Sequence, residues 1–215
     1  MPACSNSQRR PGRPRQLDVA EREAIIISAA ERIILTKGLA AASMAVIATE
    51  AGMSKRTLYD VFESRTALFA SVIRRVHKML TRPLQESELG LPLAERLRLL
   101  LTPANKKFSD PLPLAILRAV VTEGERQPDL VQEFLQEGPH AFVRMVRREL
   151  DRSVERGEIR ISDTQVAARL MTDMAHGNAL EHLLVQQTAQ ARETDYERRI
   201  ALAIRVFLGG IGEAE

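Results

Sequence analysis

Ser43, Ser54 and Ser64 each stand immediately before a run whose apolar residues recur with helical spacing, and one glycine, Gly52, parts the first run from the second. A serine in this position accepts a hydrogen bond from a backbone N–H that the first helical turn leaves without a partner, so each marks a helix start. The first run carries Val46, Ile47 and Ala51; the second extends from Lys55 to about Phe62; the third, longer, sets Leu68, Val72, Val76 and Leu80 on one face before Pro83 and Gly90-Leu91-Pro92. Ahead of them Asp18 and Glu21 form a variant capping box for a helix bearing Ile26, Ala30, Ile33 and Ile34, which Lys37-Gly38 ends. Two short helices joined by one tight turn, behind a longer supporting helix, make a helix-turn-helix arrangement.

The remaining chain is also helical with clear punctuation. Segments are expected at Leu93–Leu101, at Leu112 to about Arg126, on either side of Gly138-Pro139, from Ser162 (with Gln165 as a second capping box) to about Val185, and along Tyr196, Ile200, Ile204 and Phe207. The fold class is therefore all-α: a helix-turn-helix domain followed by a helical bundle, about nine helices with no strand. A chain 45% hydrophobic, 4% aromatic and free of Trp agrees with it. The expected division is 1–17 as a basic arm, 18–78 as the helix-turn-helix domain and 79–215 as the carboxyl-terminal domain.

Charge separates the two ends. Residues 1–70 hold ten Lys/Arg against seven Asp/Glu and the rest hold twenty-one of each, so the net +3 originates in the amino-terminal third. Arg9 to Arg15 reads RRPGRPR, which can neither propagate a helix nor bury a core, and Arg13 and Arg15 are candidates to lie along phosphates or in a minor groove. A polyanionic partner is implied. Cys4 is the single cysteine, so no internal disulfide is expected, and no run of eighteen apolar residues occurs. A cytoplasmic protein without membrane association is the expectation.

The segment 43–68, SMAVIATEAGMSKRTLYDVFESRTAL, closely resembles the DNA-binding signature of the tetracycline-repressor (TetR) family, and with the first helix the likeness covers about residues 18–78. The resemblance implies phosphate contacts at Ser43, Lys55, Tyr59 and Arg65 and a base-edge approach by Thr57. Arg56 replaces the small residue frequent in the family, and Asp60 the frequent histidine; both border the same surface, as does the cap Ser54. Leu58 and Phe62, four apart, are expected to face the core while the polar groups between them face the groove.

No catalytic constellation stands out, and no enzyme activity or cofactor is expected. His176 and His182 lie about 240° apart around a helix, which excludes the one-face geometry of a metal pair. As the resemblance implies, a homodimer on a palindromic operator is expected, acting as a repressor that a small apolar effector releases. Candidates for the effector pocket are Phe108, Leu117, Phe142, Met145, Met171 and Met174, with Arg118, His140 and His176 as polar anchors. The dimer contact is expected on the last two long helices, through Leu180, Leu183, Leu184, Ile200, Ile204 and Phe207.

Overall fold

The computed structural model describes residues 17–103, 110–177, 179–184 and 189–211. Among the described residues the structure is all-helical, with eleven α-helices and two short 3-10 turns. The supporting helix α1 (Val19–Lys37) opens on the capping box: the Asp18 carboxylate accepts from Glu21 N at 2.7 Å, and the Glu21 carboxylate accepts from Asp18 N at 3.0 Å. After a 3-10 turn at Leu39–Ala41 come α2 (Met44–Glu50), α3 (Lys55–Val61) and α4 (Arg65–Leu80), whose N-caps are Ser43, Ser54 and Ser64. Then follow α5 (Leu93–Leu101), α6 (Leu112–Glu123), α7 (Pro128–Glu137), α8 (Pro139–Glu155), α9 (Thr164–His176), α10 (Ala179–Leu184) and α11 (Ala189–Ile211).

Two local readings change. The helix expected from Ser162 starts one residue later, because Asp163 caps it by accepting from Val166 N at 3.0 Å, a stronger charge-assisted cap than a serine hydroxyl gives. It also does not run through to Val185. Gly177 takes φ of +71°, a conformation that stops a helix, and separates α9 from α10.

Burial divides into two cores. The first gathers Ile26, Ile33, Ile47, Leu58, Leu68, Val72 and Ile73 with Leu112, Ile116, Val120 and Leu130, so α6 and α7 close the core of the helix-turn-helix head. Packing of the head therefore does not stop at residue 78. The second core unites Leu97, Leu101, Phe142, Val146, Leu150, Met171, Ile200, Ile204 and Phe207 from α5, α8, α9 and α11. Gly138 alone separates α7, which serves the first core, from α8, which serves the second.

The connector between α4 and α5 is fastened by charge. Arg82 donates two N–H groups to the Glu88 carboxylate, both at 2.8 Å, and this fork holds the Glu88 carboxyl down at about 2. Leu89 O, at the end of the same connector, accepts from Arg96 at 3.0 Å and from Arg156 at 2.7 Å.

Candidate nucleic-acid interface

The turn between α2 and α3 is built by backbone geometry before any side chain acts. Ala51 N, Gly52 N and Met53 N donate back to Ile47 O, Thr49 O and Ala48 O at 2.9, 3.1 and 2.9 Å, and Gly52 takes φ of +65° to make this possible. A non-glycine residue at that φ is strained, so the glycine fixes the angle at which α3 leaves α2. Ser54 then caps α3, accepting from Thr57 N at 3.0 Å while its hydroxyl and that of Thr57 lie 2.8 Å apart.

On α3 the inner and outer faces are distinct. Leu58 is fully buried and Phe62 is buried, both within the first core; truncating Leu58 to Ala costs about 2–5 kcal/mol by the cavity it leaves. Lys55, Arg56, Tyr59 and Asp60 are exposed on the other side, with Tyr59 47% accessible despite its ring. Among the described residues Lys55 and Arg56 have no carboxylate partner. An exposed aromatic and two cations on a short helix held rigidly by its buried face can contact phosphates and base edges. Ser43 is exposed too, its hydroxyl accepting from Val46 N at 3.3 Å. Thr57 is half-buried, and its hydroxyl belongs to the Ser54 cap.

Beside this surface a groove of about 440 Å³ runs between Tyr59, Asp60 and Glu63 on one side and Glu23, Ser71 and Arg74 on the other. Arg74 is neutralised by Glu137 at 2.6 Å. The carboxylates of Asp60 and Glu63 make the groove unfavourable for phosphate, whereas Lys55 and Arg56, outside it at the start of α3, form the cationic end of that helix.

Arg65 is placed unlike the other expected contacts. It is half-buried at the start of α4, and its guanidinium donates to Ala42 O at 3.0 Å, to Leu39 O at 2.5 Å and to Gln127 Oε1 at 2.6 Å. Arg13 and Arg15 lie outside the described residues.

The residues expected around an effector do not come together as one set. Phe142 and Met171 are buried in the second core with Met145 and Met174 packed at its edge, and the His176 ring stands edge-on to Phe142 at 4.4 Å between centroids. Leu117 and Arg118 sit instead on α6, and Arg118 is exposed. His140 lines a separate groove of about 540 Å³ between α8 and α9, with Arg144, Arg147, Gln165 and Arg169. Phe108 is outside the described residues.

Two rings missing from the expected set complete the row. His77 of α4 approaches Phe142 at 6.5 Å, and Tyr196 of α11 approaches His176 at 5.7 Å, so four rings from α4, α8, α9 and α11 follow one another. A polar ring on each of two otherwise apolar faces was their only mark in the sequence. The row is kept neutral by burial. His176 Nδ1 donates to Thr172 O at 3.1 Å, yet desolvation pushes its pKa down to about 4; desolvation and then Arg144 lower His77; burial raises the Tyr196 phenol.

Three of the expected dimer residues are used within the protomer. Ile200, Ile204 and Phe207 are buried in the second core against α5 and α9, because that stripe of α11 points inward. The outward stripe of α11 carries Leu202 and Val206, and α9 shows Val166 and Leu170. Leu183 is half-buried, Leu184 is exposed, and the side chain of Leu180 falls outside the described residues. Among the described residues there is no cluster of metal-ligating side chains, and no helix is long and apolar enough to cross a membrane.

Comparison with known proteins agrees with this arrangement along almost the whole chain. Residues 26–72 match the family model for bacterial regulatory proteins, tetR family, and residues 95–210 match that of the AefR-like transcriptional repressor, C-terminal domain. The HTH-type transcriptional regulator UidR of Escherichia coli K12 is 24% identical over 188 residues, spanning 86% of this chain and 90% of that protein. Among solved structures, the flavonoid-responsive regulator FrrA is 29% identical with a TM-score of 0.69, covering 91% of this chain and 100% of its own. A TetR transcriptional regulator from Agrobacterium tumefaciens shares the fold at 20% identity, TM-score 0.69, over 88% of this chain and 94% of its own.

Proposed function

Because the chain belongs to the TetR family of transcriptional regulators, we propose that it works as a homodimeric repressor, reading a palindromic operator with α3 and leaving it when a small apolar effector binds. The observation that carries this reading is the division of α3: Leu58 and Phe62 anchor it in the first core, and Lys55, Arg56 and Tyr59 stand exposed with no internal partner among the carboxylates described. Lys55 and Tyr59 contact phosphates, Arg56 reaches a phosphate or a guanine edge, and Ser43 supports the backbone register from α2.

The dimer forms through the outward faces of α9 and α11, where Val166, Leu170, Leu202 and Val206 are each more than half accessible in the isolated protomer. Two-fold symmetry then sets the separation of the two α3 helices. Half-sites one helical turn apart require about 34–36 Å between them, so a small rotation of the protomers weakens binding strongly.

A repressor role is supported by the description of the matched carboxyl-terminal family. In this reading the effector binds beside the row of rings, a position supported by the aromatic edges of Phe142, His176 and Tyr196 and by the adaptable apolar surface of Met145 and Met174. The name of FrrA makes a flavonoid the first compound to test. Selection of bound duplexes from a random pool tests the core of the reading: an inverted repeat with spacing near a whole number of turns is expected, and enrichment of no sequence would overturn it. Operator release on adding a flavonoid then tests the effector separately.

A further inference from the structure

Arg65 is one residue inside α4, directly after the three residues that separate α4 from the DNA-facing helix α3. Its three acceptors come from two other places in the chain. Leu39 O and Ala42 O belong to the corner between α1 and α2, and Gln127 stands at the N-cap position of α7, at the corner between α6 and α7. Gln127 is itself tied twice to Glu123 at the end of α6, its N donating to Glu123 O at 3.0 Å and its Nε2 to the Glu123 carboxylate at 3.3 Å. A guanidinium whose Nε, Nη1 and Nη2 all donate into the protein is oriented by a planar fork, a geometry that lysine cannot reproduce.

We propose that Arg65 is a positioning residue which, through Gln127, locks the α6–α7 corner to the DNA-reading head and makes no contact with a phosphate. This rests on the reading above that α3 faces DNA. Because α3 and α4 meet at residues 62–64, the Arg65 fork fixes where α3 stands relative to α6 and α7, and any displacement of that corner is passed to α3. Gln127 lies in the carboxyl-terminal half, 62 residues from Arg65, and its side chain is joined to the head through that fork.

The test uses the full chain and an operator obtained by the selection described above. Affinity is followed against salt concentration, well below the melting temperature of every variant, for the wild type, Arg65→Lys, Arg65→Gln, Gln127→Met and the double variant Arg65→Lys/Gln127→Met. Losing a hydrogen bond to a charged group is expected to weaken binding about tenfold for Arg65→Lys and roughly fivefold for Gln127→Met. The double variant is expected to bind no more weakly than Arg65→Lys, and the salt slope is expected to stay unchanged throughout.

Wild-type affinity for Gln127→Met overturns the proposal, even if that variant melts at a lower temperature. So does a slope that flattens by about 0.9 in Arg65→Gln, the mark of one lost phosphate contact. Should the Arg65 variants fail to fold, Gln127→Met decides alone. The premise has its own control: unchanged affinity in Lys55→Ala/Tyr59→Ala means that α3 does not read DNA, whatever Arg65 does.

Discussion

Arg96 Nε and Glu149 Oε1 face each other at 2.8 Å with their side chains 1% and 2% accessible, an ion pair sealed between α5 and α8. Around it Arg96 also donates to Ser153 Oγ at 3.0 Å and to the Glu158 carboxylate, and Arg152 pairs with Glu149 at 2.5 Å. Removing one member strands a charge away from water. Arg96→Met or Glu149→Leu is expected to lower unfolding stability by roughly 3 kcal/mol, the lower end of the usual range because Arg152 or Glu158 stays behind as a partial partner. The double variant is expected to lose less than either single one, as urea titration would reveal; additive losses would mean that the two residues stabilise the fold independently.

Acid should destabilise the protein in a window set by His176. Its pKa falls from 6.5 in the unfolded chain to about 4 in the fold, so between these values the unfolded state binds the proton and the folded state does not. The contribution of His176 is complete above pH 6.5 and is lost as pH falls towards 4. The decline amounts to about 3 kcal/mol at some 1.4 kcal/mol per unit, with His77 adding in the same direction. His176→Leu is expected to flatten the curve over this window; an unchanged curve by chemical denaturation at pH 7 and 4.5 would assign acid sensitivity elsewhere.

Lys55→Ala/Tyr59→Ala is expected to leave helix content and melting unaltered, since both side chains are exposed. Operator affinity should fall about 100-fold or more, at about 1.5–3 kcal/mol per lost hydrogen bond to a charged phosphate. Fluorescence anisotropy with labelled operator measures the loss, and a change below about threefold would reject the assignment.

Dimerisation should answer to Leu170 and Val206, which are 56% and 55% accessible in the protomer. A glutamate at either position is expected to halve the sedimenting mass while circular dichroism stays constant. Ile204→Glu, two residues from Val206 on the helix, is expected to unfold the chain by forcing a carboxylate into the second core. A Leu170→Glu protein that still sediments as a dimer would move the interface elsewhere.

What the sequence disclosed was chemistry confined to a few neighbouring residues. The caps at Asp18, Ser43, Ser54 and Ser64 and the turn glycine Gly52 act on their own backbone, so composition and spacing reveal them. Leu58 and Phe62 face inward for an equally local reason, their spacing of four residues along one short helix. On α11 the sequence is two-faced: Ile200, Ile204 and Phe207 form one apolar stripe and Leu202 and Val206 another, and only packing against α5 and α9 selects the one the protomer keeps. Arg65 was illegible in a different way, because its acceptors lie 23, 26 and 62 residues away. The row from His77 to Tyr196 likewise exists only once four helices have assembled.

That α6 and α7 complete the first core bears on how such regulators can be recombined. A chimera joined after α4 would bring a head whose apolar floor is missing and leave Leu112, Ile116, Val120 and Leu130 facing a stranger's side chains. Joined at Gly138, with α5 and its connector retained by the recipient body, the graft would have to carry α6 and α7 along with the reader. The portable unit of DNA recognition in this chain is thus discontinuous in sequence, and an exchange of specificity between two such proteins transplants two segments.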